Sequence, residues 1–233
     1  MHLAGQILSA LTLHADPMRR AHSLEYAPTS LHVLGVTMPL VNATTAEALR
    51  AFKPLPPDAR WQLLHALLDL ETFEASLVAF DLVARHRPTL EALTPAQAHS
   101  LLRGLDNWVT VDTLGPRVLG PAWRLGRLND AFAHDLATHP DPFMRRLALT
   151  MTVALNLKSR GGHGDTPRTL AIAATAVTDR HDLVVKTLSW ALRQLAPWDP
   201  SAVRAFLEEH APQLAPRVLR EVQRKLETGK KNG

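Results

Sequence analysis

Leu105-Asp-Asn-Trp-Val-Thr-Val-Asp112 is the first of three stretches that decide the fold class. The others are Phe143-Met-Arg-Arg146 and Lys186-Thr-Leu-Ser-Trp-Ala-Leu-Arg193. Each stretch carries a tryptophan or an arginine at a matching position. Elsewhere, as in residues 58–68, the apolar residues recur with helical spacing, and no stretch shows the alternation of a strand. The pattern therefore predicts successive helices of a repeated unit rather than strands.

The distances between these stretches support an internal repeat. Trp108, Arg146 and Trp190 are separated by 38 and 44 residues, close to the period of roughly 40 to 47 residues of HEAT and armadillo repeats. Residues at equivalent points of stacked repeats can line one concave surface. Asp112 follows Trp108 by four residues, so on a helix its carboxylate and the indole share one face. We expect an all-α superhelical array of HEAT-like repeats, an α-solenoid.

Composition fits an ordinary folded chain. Of 233 residues, 46% are hydrophobic, which is enough to fill a core, and a formal charge of +4 permits nucleic-acid binding without requiring it. The lack of cysteine excludes disulfides and thiolate metal sites and fits a cytoplasmic protein. No segment approaches the roughly 18 apolar residues of a membrane span, and residues 1–15 do not resemble a signal peptide.

Helix-start signals punctuate the chain. Thr94-Pro-Ala-Gln97 has the residues of a capping box, and Asp141-Pro142, Asp165-Thr-Pro167 and Asp199-Pro200 combine an N-cap residue with a first-turn proline. The glycine-rich segment 159–164 is too short to link independent cores. We therefore predict that residues 1–233 form a single domain with one concave face.

The same three stretches resemble the AlkD family of DNA alkylation repair glycosylases. Asn107-Trp-Val-Thr-Val-Asp-Thr-Leu114 is similar to the family's Trp-x-x-x-Asp helix, and Phe143-Met-Arg-Arg-Leu-Ala-Leu149 to its aromatic-x-x-Arg helix start. Val185-Lys-Thr-Leu-Ser-Trp-Ala-Leu-Arg193 resembles its Lys-x-x-x-Trp-x-Leu-Arg helix. Tyr26, with Leu34-Gly35 after it, resembles the family's N-terminal tyrosine before a Leu-Gly-Ile turn.

Two positions depart from the family pattern. Val109 replaces an acidic residue that often follows the tryptophan, and we expect it to turn away from the face that Trp108 and Asp112 share. Pro39-Leu40-Val41 replaces the family's Pro-x-Arg signature, a change that affects DNA affinity rather than the type of reaction.

The resemblance implies a DNA glycosylase of base excision repair whose concave face binds DNA. Such an enzyme hydrolyses the N-glycosidic bond of cationic alkylpurines, N3-methyladenine and N7-methylguanine, in double-stranded DNA. We expect it to act as a monomer without a cofactor or metal, in the cytoplasm and associated with the nucleoid. Asp112 would stabilise the oxocarbenium-like sugar and orient water, while Trp108 and Trp190 would hold the sugar. The remaining expected DNA contacts are Arg146, which would bind a phosphate, and Tyr26, Lys186, Arg193 and Arg217.

Each of these residues also has a structural interpretation. Tryptophans in helical repeats pack in cores more often than they form sites, and Asp112 could be a solvated residue or a partner for Arg117. Of the neighbours Arg145 and Arg146, we expect Arg145 to face solvent. Trp61, Trp123 and Trp198 lack the partner residues of the motifs and are expected to serve packing or to close loops.

The C-terminal run has the most basic composition, and two interpretations are open. It is either a solvated helix face or a phosphate-contacting end of the DNA-binding surface. Its cations are Arg217, Arg220, Arg224, Lys225, Lys230 and Lys231.

Two other functions remain open alongside the glycosylase. The first is a non-catalytic HEAT-like protein that binds damaged or bent DNA, and the second is a protein scaffold without a nucleic-acid role. Asp112 distinguishes the glycosylase from the binder, because a carboxylate directed at polyanionic DNA gives a mere binder no advantage. A steep loss of DNA binding with salt distinguishes both from the scaffold.

Overall fold

The structure, a computed structural model, describes residues 3–230 and is built from helices. Within this range there is no strand, and the one β-bridge joins His32 to Thr72. The predicted all-α helical repeat class is therefore confirmed. Lys231 of the basic C-terminal run lies outside the described residues.

The chain divides into two compact units, residues 1–113 and 114–233. The prediction of a single domain over residues 1–233 stays a prediction, as does the concave face. Among residues 3–230, no helix is both long enough and apolar enough to span a membrane.

The helices of the first unit pack around α5, which is almost entirely buried. Helices α1, α3 and α4 all contact α5. The bounds are α1 (Leu3–Thr12), α2 (Pro17–Tyr26), α3 (Met38–Phe52), α4 (Pro57–Leu68), α5 (Phe73–Arg85), α6 (Arg87–Glu91), α7 (Pro95–Ser100) and α8 (Trp108–Leu114), of which the last ends one residue past the unit's boundary.

The second unit contains stacked helical pairs. The bounds are α9 (Gly120–Arg124), α10 (Asp130–Ala137), α11 (Pro142–Asn156), α12 (Thr166–Thr175), α13 (Asp182–Leu195), α14 (Pro200–His210) and α15 (Pro216–Thr228). The pairs are α10 with α11, α12 with α13, and α14 with α15. The second helix of each pair packs against the second helix of the next, so α11, α13 and α15 form one layer. This stacking is the expected packing of a helical repeat.

The helix starts predicted from sequence are confirmed. Asp141, Asp165 and Asp199 each accept a hydrogen bond from a first-turn backbone N–H, and each precedes a first-turn proline. Thr94 and Gln97 form both halves of the capping box. These caps satisfy backbone donors that the helix itself leaves without partners.

A π-helical turn, Gly115–Leu119, leads directly into α9. Glycine allows close packing here: a Cβ on Gly115 would lie 1.9 Å from the Thr150 hydroxyl, and one on Gly120 would lie 2.5 Å from the Met151 carbonyl oxygen. Both glycines are thus needed for α11 to pack against this segment.

A buried carboxylate organises the turn between α2 and α3. Glu74 is 1% exposed and accepts three backbone N–H groups, from Leu34, Gly35 and Val36, at 3.0, 2.8 and 3.1 Å. Successive N–H groups pointing at one anion form a nest. Gly35 has φ +82°, and a Cβ there would lie 2.3 Å from the backbone oxygen of Asp16, the N-cap of α2. The turn therefore supports α2, which ends at Tyr26.

Candidate functional site

The start of α8 is fixed by the residue before its tryptophan. Asn107 is 1% exposed, and its side-chain oxygen accepts a hydrogen bond from Val109 N at 2.7 Å. Its amide nitrogen donates to the carbonyl oxygens of Ala27 and Pro28 at 2.6 and 3.1 Å. One side chain thus caps α8 and joins it to the chain that follows Tyr26.

Asp106 strengthens the same connection. Its carboxylate accepts hydrogen bonds from the Thr29 hydroxyl and from Ser30 N. Burial alone would raise the pKa of Asp106, but these hydrogen bonds outweigh burial and lower the pKa below its ordinary value. Asp106 is therefore held as an anion that ties residues 29–30 to α8.

These contacts bring two of the predicted site residues together. The rings of Tyr26 and Trp108 meet edge to face, with centroids 5.2 Å apart and planes at 78°. Trp108 is half-buried, whereas Tyr26 is 67% exposed. An aromatic pair with this exposure offers ring surface to a ligand rather than to the core.

Asp112 lies one helical turn after Trp108 on α8 and is half-buried. Helical periodicity therefore places its carboxylate on the same side of α8 as the indole. Val109 instead lines a small apolar pocket of about 170 Å³ with Tyr26, Met38 and Phe73, and neither Trp108 nor Asp112 takes part in that lining.

The second unit gathers the remaining predicted residues around one basic pocket. The pocket has a volume of about 410 Å³ and lies on the layer formed by α11, α13 and α15. It combines one indole with five cationic side chains and one carboxylate. The lining is Arg146, Lys186, Thr187, Trp190, Arg193, Gln194, Arg217, Glu221 and Lys225. A pocket of this charge suits an anion such as a phosphate.

Arg146 lies deep in this pocket. It is 7% exposed, and its guanidinium donates to the Leu183 carbonyl oxygen at 2.7 Å, at the start of α13. Its neighbour Arg145 is more exposed than Arg146, as expected, but only 21% of its side chain is accessible. Arg145 pairs with Asp179 at 2.7 Å and also donates to the carbonyl oxygens of residues 139 and 140, because the loop before α13 brings Asp179 against it.

Lys186 is the exposed cation of the pocket. Its ammonium lies 2.6 Å from Asp182, whose other carboxylate oxygen lies 3.6 Å from Arg217. The hydrogen bond from Lys186 is the main cause that lowers the pKa of Asp182. The Lys186 side chain is 46% exposed, so solvent screens this pair and the lysine can exchange its partner at low cost.

Arg193 is buried rather than exposed. It is 7% exposed, and its Nε donates to the backbone oxygen and the hydroxyl of Ser189 at 3.1 and 3.2 Å. Burial lowers the pKa of Arg193 from its ordinary value. Its guanidinium also lies 3.6 Å from Glu221, a pocket residue that the sequence interpretation missed. The available signal was an acid one turn after Arg217 in a helix with a basic composition.

The other tryptophans serve packing, as predicted. Trp123 is 1% exposed and donates to Asp130 at 2.8 Å, and Trp198 donates to the Asn156 carbonyl oxygen at 2.7 Å. Trp61 is half-buried beside His65, with ring centroids 6.0 Å apart.

The fold is that of a helical repeat protein, and the charge of its basic pocket suits an anion. A sequence-family comparison is more specific: the chain belongs to the DNA alkylation repair enzyme family, whose model matches residues 7–226. The structure is similar to that of a predicted DNA alkylation repair enzyme from Enterococcus faecalis, with a TM-score of 0.74 and 18% identity over 92% of this chain and 98% of that chain. A comparison with curated proteins gave no match.

Membership of the family supports a role in the repair of alkylated DNA, and it confirms the resemblance found in the sequence. At 18% identity, the similarity to the bacterial structure establishes the shared helical fold alone.

Proposed function

We propose that this protein is a DNA glycosylase that hydrolyses the N-glycosidic bond of cationic alkylpurines, N3-methyladenine and N7-methylguanine, in double-stranded DNA. The observation that carries the proposal is a half-buried carboxylate, Asp112, one helical turn from the half-buried indole of Trp108 in a chain of a DNA alkylation repair family.

Hydrolysis of this bond requires a carboxylate anion near the sugar rather than an acid that protonates the leaving base. An alkylated purine is already cationic, so when the N-glycosidic bond breaks its electron pair neutralises the base, which leaves without protonation. Positive charge then develops on the deoxyribose, as in other glycosyl transfers. The anion of Asp112 opposes that charge, and it accepts a proton from the water whose oxygen forms the new bond to the sugar.

Aromatic rings stabilise the same charge. A cation over an indole face gains about 0.5 to 2 kcal/mol. Trp108, on the same helix as Asp112, is the indole proposed for this role, and the exposed ring of Tyr26 extends its surface. These contacts favour the charged transition state over the neutral product.

The basic pocket supplies affinity for the DNA backbone. Arg146, Lys186, Arg193 and Arg217 place guanidinium or ammonium groups around one cavity. Contacts of this kind hold phosphates without reading sequence, and each releases counterions when DNA binds. The proposal therefore includes steep salt dependence and weak sequence preference.

Base release from methylated duplex DNA tests the activity. The protein should release 3-methyladenine or 7-methylguanine into solution, and chromatography of the soluble bases detects either product. Absence of both, with the protein bound to the duplex, would refute the glycosylase proposal. It would favour the alternative of a non-catalytic binder of damaged DNA, since the pocket cations do not depend on Asp112.

A charge-matched pair of variants tests the pocket. Lys186→Ala should weaken duplex binding alike for different sequences and lower the slope of log Kd against log salt by about one. Arg204→Ala removes the same charge from an exposed position on α14, outside the pocket lining, and should leave the slope close to wild type. Equal effects of the two variants would contradict a phosphate site in the pocket.

A further inference from the structure

A single acidic residue, Glu221, lies in the lining of the basic pocket. It stands among five cations, in the place where the proposed function puts a polyanion. A carboxylate there repels phosphate, so by charge alone its presence weakens DNA binding. Its contacts give a different role.

Both oxygens of Glu221 are engaged by pocket residues. Oε1 accepts from Arg217 Nε at 2.9 Å, and Oε2 accepts from the Ser189 hydroxyl at 2.6 Å. Oε2 also lies 3.6 Å from the guanidinium of Arg193. Ser189 completes the cluster because it accepts from Arg193 Nε as well.

The cluster is sheltered from solvent. The side chain of Glu221 is 16% exposed and that of Arg193 is 8% exposed. Burial would raise the pKa of Glu221, but the hydrogen bonds from Ser189 and Arg217, with the charges of both arginines, outweigh it and lower the pKa. The carboxylate is therefore held as an anion among the arginines.

Two long arginine side chains are costly to hold still. Each has several rotatable bonds, and ordering such a side chain when DNA binds reduces the net affinity. A guanidinium has five N–H donors. Glu221 or Ser189 can therefore fix the Nε side of an arginine while the remaining N–H groups can bind a ligand.

We propose that Glu221 is a positioning residue that pre-orders Arg193 and Arg217 to bind a phosphodiester group in the basic pocket. This inference rests on the proposed function, since it assigns the geometry of the same DNA site. It predicts an effect opposite in sign to that of charge alone: removing the negative charge of Glu221 weakens DNA binding.

Glu221→Gln, matched to Glu227→Gln, is the decisive comparison. Glu227 lies on the same helix, α15, is exposed and is outside the pocket lining, so both variants raise the net charge by the same amount. Duplex binding would be measured by fluorescence anisotropy at several salt concentrations. We expect Glu221→Gln to raise Kd roughly tenfold, the loss of one charge-assisted contact, and to lower the salt slope by about one. Glu227→Gln should leave Kd unchanged or slightly lower.

If Glu221→Gln binds DNA as tightly as Glu227→Gln or more tightly, the positioning role is refuted and the carboxylate is only a repulsive charge. A double-mutant cycle with Arg217→Ala checks the mechanism. After Arg217→Ala, adding Glu221→Gln should weaken binding much less than it does in wild type, and full additivity would also refute the proposal.

Three further readouts separate positioning from folding and from catalysis. Far-UV circular dichroism and melting should show that Glu221→Gln is folded. If Glu221→Gln unfolds, Ser189→Ala takes its place, because this change removes the hydroxyl that bridges Glu221 and Arg193. Weaker DNA binding by a folded Ser189→Ala would support the proposal, and unchanged binding would refute the proposal. The base-release rate at saturating DNA should match wild type, with the loss confined to Kd.

The outcomes also separate this inference from the proposed function. A wild-type protein that neither binds duplex DNA nor releases bases removes the proposed function and this inference with it. A wild-type protein that does both, with Glu221→Gln equal to Glu227→Gln, removes the positioning role alone.

Discussion

Replacing Glu74 by glutamine tests how the turn before α3 is held. In the native fold, Oε1 accepts from Gly35 and Val36, and Oε2 accepts from Leu34. Glutamine keeps one oxygen, which can retain two of these bonds in weaker, uncharged form. Its amide nitrogen, however, faces the N–H of Leu34, so two donors meet without an acceptor.

The magnitude follows from these contacts. An unsatisfied buried donor costs about 1 to 3 kcal/mol, and two charge-assisted bonds reduced to neutral ones add roughly 1 kcal/mol. We therefore expect Glu74→Gln to lower the free energy of unfolding by about 2 to 4 kcal/mol, a large part of the roughly 5 to 15 kcal/mol typical of a folded protein.

Urea unfolding followed by far-UV circular dichroism measures this loss. Glu47→Gln is the matched control, because Glu47 is exposed on α3 and its replacement should change stability by less than about 0.5 kcal/mol. If Glu74→Gln were as stable as Glu47→Gln, the carboxylate would not be what holds this turn.

Two further predictions concern packing and pH. Gly120→Ala should lower the melting temperature, because its Cβ would lie 2.5 Å from the Met151 carbonyl oxygen and overpacking costs about 1 to 3 kcal/mol. Gly126→Ala is the control, since its Cβ would have no atom within 4 Å and only the strain of φ +70° opposes it, so it should destabilise the protein less. The reverse order would contradict the close approach at Gly120. Asp106→Asn should destabilise the protein at about pH 7 and progressively less as the pH falls from the carboxyl's ordinary pKa of about 3.9 through the lowered native pKa. The depressed pKa stabilises the fold in full above the ordinary value, and this contribution is lost once the carboxyl is also protonated in the native state. Thermal melts across pH measure it, and a penalty that grows with acid would refute that sign.

Local signals predicted much of this fold. The N-caps at Asp141, Asp165 and Asp199 and the capping box at Thr94 depend on residues within one turn, so the sequence alone indicates them. The spacing of the three motif stretches predicted a repeat, and the helices that carry two of them, α11 and α13, stack in one layer with α15.

The residues that the sequence interpretation missed depend on partners far along the chain. Arg145 is turned from solvent by Asp179, 34 residues away, and Ser189 is linked to Glu221 across 32 residues. The nest around Glu74 joins residues about 40 positions apart. Periodicity gives the face on which a residue lies, but it carries no information about such partners.

The resemblance to family motifs grouped the site residues better than it assigned their contacts. Arg146, Lys186, Trp190, Arg193 and Arg217 do surround one pocket. Yet their exposures differ widely, from 7% for Arg146 and Arg193 to a half-exposed Lys186 side chain. Motif spacing alone could not separate buried arginines from accessible cations.

The central claim is that Asp112 takes part in base release rather than in binding, and one comparison tests it most directly. Wild type and Asp112→Asn would each be incubated in excess over methylated duplex DNA. DNA binding and the amounts of released 3-methyladenine and 7-methylguanine would be measured on the same samples. We expect Asp112→Asn to bind as tightly as wild type or more tightly, while release falls roughly 100-fold or more, as when a transition-state charge loses its stabilising group. Release at the wild-type rate by a folded Asp112→Asn would contradict the account.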